Sequence, residues 1–386
     1  VELGRSKPRD AIAAPLAAPF VAALACLQPG IDPVFLSILT SANGTPLLTH
    51  GWIVGGTQAG AAIGSLAVWR LGPALRHRAI VIAALVALAC SIATTTVGLL
   101  GALLALRFGY GLAMGVVYAR AMATYAAGRP TKAYGAVFLV QLVLSTLVSL
   151  TLPELALVAG PRSALAAFAL VPGLAFVALL ATGRTAGGER DAGVAPEARH
   201  SVPVAGWALA AATFWFICST MLVWSFTAAL ASSAGIADRT IGRAVAIGSV
   251  VGALTALTVM RERQVVPLPV TAVLAGLSLA APIVMIGPGA DLMFVASVVL
   301  LNIGSTAIII RTSGLATAAS QDLRFRTFVA CTHSLGLIAG PVLGSAMVGA
   351  MGPAGLGWGV AFALAGGVGS VLLAMRGGLG NRGVQV

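Results

Sequence analysis

Of the eleven acidic residues in this chain, only Asp32 lies well inside a long apolar stretch. Arg107 is the clearest basic residue placed in the same way, in a different stretch. A charged side chain at that depth of a membrane segment costs about 2.5–3.5 kcal/mol on insertion scales, so such residues are functional by default and are usually paired. Asp32 lies roughly twenty residues along one segment and Arg107 about ten residues along another that runs the opposite way. At about 1.5 Å per residue the two depths are compatible. The expectation is an ion pair or a shared water. Such a pair suggests a proton switch, because protonating Asp32 would part the two groups and free Arg107 for a substrate or a gate. The alternative is a structural pair that fixes the two segments together. Pro29 and Pro33 flank Asp32 and should loosen its helix, freeing backbone carbonyls near the charge. His333, about six residues into another apolar segment, is a second candidate for proton relay or a hydrogen-bonded structural residue.

Other residue types suit solute contact. Gln28, Gln141 and Asn302 are amides in apolar surroundings, able to bond a substrate or a neighbouring helix. Tyr110 is a further candidate contact. Arg120 and Arg311 lie nearer one membrane face, where they either snorkel to the headgroups or hold an anionic substrate from two sides. Phe214, Trp215, Phe216, Trp224 and Phe226 share one segment with Ser219, Thr220 and Ser225. They form either a lipid-facing row or an aromatic wall with interleaved hydroxyls, suited to a flat organic molecule.

The elements that must position these groups are membrane helices. The chain has 386 residues, of which 59% are hydrophobic and 9% charged, against about a quarter charged in an ordinary soluble domain. Apolar segments cover 11–39, 51–71, 79–96, 97–125, 133–152, 163–181, 202–231, 241–260, 267–286, 292–318, 327–350 and 358–375. About 20 apolar residues span a bilayer as a helix. These runs are too long and too uniformly apolar for barrel strands, which alternate. The expectation is an all-α membrane protein with twelve transmembrane helices in two pseudo-symmetric halves. The halves are residues 1–182 and 202–386, joined by a polar cytoplasmic linker at 183–201. Residues 11–39 are too long for a signal-peptide core and read as the first membrane helix.

Charge sets the orientation. With the N-terminus inside, only Arg162, Arg239 and Arg243 of the 23 Lys and Arg fall outside, and Arg107 lies within a span. The rest collect on the inner face, as the positive-inside rule requires, with both termini cytoplasmic. The net charge of +12 is therefore no sign of a nucleic-acid partner: the basic residues sit in short loops, not on one patch. Cys26, Cys90, Cys218 and Cys331 lack metal-ligand spacing and read as small buried hydrophobes. No nucleotide-binding loop, metal cluster or nucleophile elbow is visible, so no cofactor, metal or enzymatic activity is expected. The fourth and tenth segments end alike, Arg120-Ala-Met-Ala-Thr-Tyr-Ala-Ala and Arg311-Thr-Ser-Gly-Leu-Ala-Thr-Ala-Ala. Internal repeats of this kind underlie alternating access in transporters.

Several motifs resemble the major facilitator superfamily. The fourth segment reads Arg107-Phe-Gly-Tyr110-Gly111-Leu-Ala-Met-Gly115, an Arg followed by spaced glycines, as in the superfamily's helix 4. Ile31-Asp32-Pro33-Val-Phe-Leu-Ser-Ile-Leu39 looks like the helix-1 acidic motif of its drug:proton antiporters. Gly336-Leu-Ile-Ala-Gly340-Pro341-Val-Leu-Gly344 is similar to the Gly-Pro pattern of helices 5 and 11. The stretch Gly64 to Gly72, followed by Arg76 and Arg78, resembles a degenerate form of the superfamily's loop signature, with Val68 where that signature carries an Asp. The inner gate must therefore differ from that of the relatives. The fifth segment lacks the antiporter Gly-Pro motif. The resemblance implies a monomeric secondary transporter of a small organic solute; the balance of deep charges, one acid against one to three arginines, leans that solute towards an anionic or neutral, amphipathic or aromatic molecule, with proton coupling through Asp32 and Arg107. A drug or metabolite:proton antiporter and an uncoupled facilitator are the alternatives. Pro29, Pro33, Gly111, Gly115, Gly340 and Pro341 would serve gating and packing. The Arg-rich, Lys-poor composition suggests the inner membrane of a bacterium.

Overall fold

The computed structural model describes residues 14–45, 49–72, 75–127, 129–186, 201–236, 238–261, 266–287 and 291–379. The proposed linker lies almost wholly outside these residues. Fourteen α-helices follow one another without a strand among the described residues: α1 (Ala14–Ala25), α2 (Gln28–Asn43), α3 (His50–Leu71), α4 (His77–Thr94), α5 (Leu100–Tyr125), α6 (Pro130–Ala159), α7 (Pro161–Ala167), α8 (Leu170–Ala186), α9 (Val204–Ser233), α10 (Asp238–Val259), α11 (Leu268–Met285), α12 (Asp291–Ala318), α13 (Leu323–Met351) and α14 (Ala354–Ala374). A single π turn, Met375–Leu379, follows α14.

Among the described residues, ten helical stretches are long and apolar enough to cross a bilayer, the pair α7 and α8 counting as one. They coincide with the third to twelfth apolar segments. The first segment is broken at Leu27 into α1 and α2 of 12 and 16 residues. Pro29 stands in the first turn of α2, where its missing N–H costs nothing. The loosening expected around Asp32 thus takes the form of a break one turn before it. The α3 helix has the length of a span at 22 residues, but its glycines, Thr57 and Gln58 dilute its apolar character. In lipid every backbone group must be bonded within the protein, so these uniformly apolar segments have no choice but the helix.

Small residues set the packing. The α3 and α5 helices meet through Gly60 and Gly64 on one and Gly111 and Gly115 on the other. A Cβ at any of the four would fall on a backbone carbonyl of the facing helix. On α13, Gly336, Gly340 and Gly344 lie in the same way against α9, at Ile217, Cys218 and Phe226. With almost no hydrophobic drive between helices in lipid, such close backbone approach is the main source of association. Pro341 sits within α13 beside this seam.

The first eight helices touch the last six along α6 with α10 and α12, and along α3 and α5 with α13. The tightest of these contacts lie at the helix ends that the charge pattern assigns to the cytoplasm. Ser65 Oγ and Ser334 Oγ are 3.0 Å apart, and Cys331 Sγ donates to the Ser65 carbonyl at 3.0 Å. Trp69 packs on Phe328 at 5.7 Å between ring centroids. Gly135 admits the Met260 side chain, and Gly314 lies against Thr131. Val68 is buried beside them. Hydroxyl, thiol and aromatic contacts therefore stand where the loop signature would have placed a carboxylate.

Candidate functional site

A central cavity of about 160 Å³ opens between the two groups of helices, lined from α1, α2, α3, α5, α6, α9, α10, α12 and α13. A cavity of that size holds one benzene-sized ring in a small protein. Six of the residues proposed from sequence for coupling or solute contact line it: Gln28, Tyr110, Gln141, Trp224, Asn302 and His333. Pro29, Gly111 and Gly115 border it as well. Sequence reasoning missed Thr57, Gln58, Tyr118, Phe138, Ser145, Ser249, Ser305 and Thr306, which also line it. The wall is made of amides, hydroxyls and aromatic rings. Among the described residues that line it there is no acid, lysine or arginine.

Several expected contacts stand elsewhere. Arg120 is half-buried on α5 and outside the lining. Arg311 is buried but turns to α11, where its guanidinium donates to Thr271 Oγ1. The two arginines therefore do not face one another across the cavity: their shared depth says nothing about which side of the helix they occupy. Of the aromatic row on α9, only Trp224 reaches the cavity. Trp215 packs on Phe214 and Phe362, with ring centroids 5.1 and 5.4 Å away, and against Gly366 of α14. Ser219 is fully buried away from the lining, with no hydrogen-bond partner for its hydroxyl. The aromatic faces of the cavity come from three helices, as Tyr110 and Tyr118 of α5, Phe138 of α6 and Trp224 of α9.

Asp32 and Arg107 lie side by side just behind this wall. Asp32 is 8% exposed and Arg107 1%. No direct salt bridge joins them, so of the two arrangements expected from their depths, an ion pair or a shared water, the ion pair is not formed. Asp32 Oδ1 instead accepts a 2.6 Å hydrogen bond from Gln28 Nε2, one turn earlier in α2. Its further electrostatic neighbours are Arg107 and Gln58. Arg107 Nε donates to Thr57 Oγ1 at 3.3 Å. The guanidinium is sandwiched between the Phe35 and Tyr110 rings, with Cζ 4.4 and 4.3 Å from their centroids. Neither Nη has a hydrogen-bond partner. Two aromatic faces thus supply part of the stabilisation that a salt bridge would have given. Pro33 lies in α2 one residue beyond Asp32.

His333 joins the cavity wall from α13. Its ring stacks on Tyr134 at 5.3 Å and 15°, with Tyr118 and Phe138 at 5.8 and 6.0 Å. Its Nε2 shares a 2.9 Å hydrogen bond with Ser313 Oγ. Three rings from α5 and α6 thus enclose an imidazole from α13, next in sequence to Ser334 of the Ser65–Ser334 contact. Cys26, at the break between α1 and α2, also lines the cavity, and its thiol donates to Gln141 Oε1 at 3.3 Å. It is therefore a polar wall group as well as the small hydrophobe expected.

No sequence-family model and no curated protein sequence matches this chain. Among solved structures it is similar to the crystal structure of the human organic anion transporter MFSD10 (TETRAN), with a TM-score of 0.68 at 14% identity. The match covers 96% of this chain and 100% of that one. The likeness of the helical framework, over essentially the whole length of both chains, shows that this protein has the fold of the major facilitator transporters.

Proposed function

We propose that the protein is a secondary active transporter that carries a small organic solute through the central cavity by alternating access, with Asp32 as the proton-accepting group. The observation that carries this reading is the placement of Asp32, the sole acid deep in the apolar spans. It is buried behind the cavity wall and hydrogen-bonded to Gln28, which lines that wall. A carboxyl group so placed can take a proton from one side of the membrane and return it to the other as the helices rock. The uncharged wall favours a neutral solute with one aromatic ring and a few polar groups. The tight contacts on the cytoplasmic side fit an outward-facing state. In this reading both ends lie in the cytoplasm, as the charge pattern favours, while the bacterial inner membrane rests on the Arg-rich, Lys-poor composition and the monomer on the family resemblance.

A second reading is an organic anion as substrate. It is favoured by the two unpartnered Nη groups of Arg107 behind Tyr110 and by the fold shared with MFSD10, itself an organic anion transporter. An antiporter of drugs or metabolites would use the same parts, as the acidic motif in the first segment suggests.

Proteoliposomes loaded with a pH dye test the proposal against organic acids, neutral aromatics and cationic dyes. Proton movement triggered by the neutral class, and lost in Asp32→Asn, is the expected result. The double variant Asp32→Asn with Arg107→Met serves as a second uncoupled chain in case the single variant folds poorly. Solute flux without proton movement, unchanged in both variants, would make the protein a facilitator and leave Asp32 a structural role.

A further inference from the structure

Most polar groups on the cavity wall are already used. Thr57 and Thr220 donate to the carbonyls of Ile53 and Phe216, Asn302 to that of Val298, and Ser334 is joined to Ser65. Among the groups that are not, three are also shielded from solvent. Gln28 Oε1, Gln58 Nε2 and Ser145 Oγ have no hydrogen-bond partner, in residues that are 4%, 3% and 2% exposed. All three residues line the cavity. A buried polar atom without a partner costs about 1–3 kcal/mol, so three on one wall mark a place built for a ligand's polar group.

The chemistry of that group can be read from the atoms. The Asp32 carboxylate accepts only, so the atom of Gln28 that faces it at 2.6 Å must be the amide nitrogen. The carbonyl oxygen is left without a partner, in a residue that lines the cavity, and it requires a donor. Gln58 Nε2 is a donor that also faces the Asp32 carboxyl, beyond hydrogen-bond length, so a solute acceptor competes with Asp32 for it, while the Ser145 hydroxyl can play either part. A hydroxyl or a primary amide satisfies both amides at once. A carboxylate cannot donate to Gln28. Gly30 keeps the place open, since a Cβ there would meet Ser145 Oγ at 2.5 Å.

We infer that Gln28 is the relay between solute and proton: its Nε2 holds Asp32 while its Oε1, with Gln58 and Ser145, receives a neutral hydroxyl or amide N–H group of the solute. The relay rests on the transporter reading above. A solute that donates to Oε1 polarises the same amide whose N–H bonds the carboxylate, so occupancy of the cavity and proton binding at Asp32 become linked through one side chain. Gln28 is suited to this by position. As the first residue of α2 after the break at Leu27, it reaches Asp32 one turn on while it also borders the cavity.

Three molecules of nearly equal shape, benzamide, acetophenone and benzoate, test the inference on the full chain in lipid nanodiscs. Binding is read by equilibrium dialysis, and protons taken up or released by a pH dye in weak buffer. The expected result is that wild type binds benzamide at least about tenfold tighter than acetophenone, which lacks the donor, and tighter than benzoate. Benzamide binding should change the number of protons bound. In Gln28→Leu the preference and the proton change should both disappear. In Asp32→Asn the preference should stay and the proton change vanish. Gln28→Asn keeps an amide too short to bridge both partners and should lose the proton change, so it carries the test should the Leu variant fail to fold. A Gln28→Leu or Gln28→Asn protein that keeps preference and proton change overturns the relay. Stronger binding of benzoate, or no binding of any of the three, overturns the donor requirement. Wild type that binds benzamide with a proton change yet passes no labelled benzamide into liposomes would remove the transporter reading and leave the relay standing.

Discussion

Asp32→Asn should destabilise the folded chain by about 2–3 kcal/mol, and Arg107→Met added to it should return most of that loss. The argument starts from Arg107, whose guanidinium stays charged at any working pH. It is buried with only its Nε bonded. The rings of Phe35 and Tyr110 compensate for some of the lost hydration, at about 2 kcal/mol or more for a desolvated cation–π contact. The remainder comes from the Asp32 carboxylate acting through space. A pair 4 Å apart gains about 4 kcal/mol at an effective dielectric of 20, and this pair is not in direct contact, so its share is smaller. Removing the acid alone strands the cation. Removing both leaves a thioether between two rings, a contact that is itself favourable. Unfolding by SDS in mixed micelles would measure the four corners of this cycle. Simple additivity, with the double variant as unstable as the sum of the singles, would mean that Asp32 and Arg107 stabilise the fold independently and that neither is held for the other.

The long helices were legible because their period does not matter. From α9 to α13 the expected segments and the helices agree to within a few residues at each end. Runs of Leu, Val, Ala and Ile that exceed the thickness of a bilayer admit only one backbone. The break at Leu27 was visible only as two nearby prolines, since a helix can absorb a proline with a kink as well as with an interruption. What the sequence withheld is direction. A surface helix shows its inner face by its polar one, but a helix that is apolar all round carries no such stripe. Trp215 and Trp224 lie on the same helix, α9, and nothing in their neighbours says that the first meets α14 and the second the cavity. Arg120 and Arg311 were joined by depth, and depth is blind to rotation about the helix axis. Gln28 and Gln141 were found because an amide in lipid must have a partner, whichever way it points. Gln58 obeys the same rule and was the one to have added: it stands in α3 among Gly, Ala and Ile, as conspicuous as the other two.

Gly111→Ala should be among the most damaging single-methyl changes in the chain, while Gly101→Ala on the same helix should be harmless. A Cβ at Gly101 meets nothing within 4 Å, and alanine favours the helix by about 1 kcal/mol over glycine. A Cβ at Gly111 lands on the carbonyl oxygen of Thr57, and one at Gly115 on that of Ala61. The obstruction is backbone, so no rotamer change can relieve it and the two helices must separate. Adding a methylene to a close-packed core costs about 1–3 kcal/mol when side chains can yield, and more when they cannot. The loss should also reach function, because α3 carries Thr57 and Gln58 while α5 carries Arg107 and Tyr110. Moving one helix away from the other stretches the 3.3 Å bond from Arg107 to Thr57 and opens the wall behind the cavity. Thermal melts in detergent with the binding assay alongside would read both effects. A Gly111→Ala protein as stable as wild type would show that α3 can slide on α5 without cost. The close approach of the glycines would then be a surface for movement between states, and Gly60 and Gly64 on the facing helix should tolerate alanine equally.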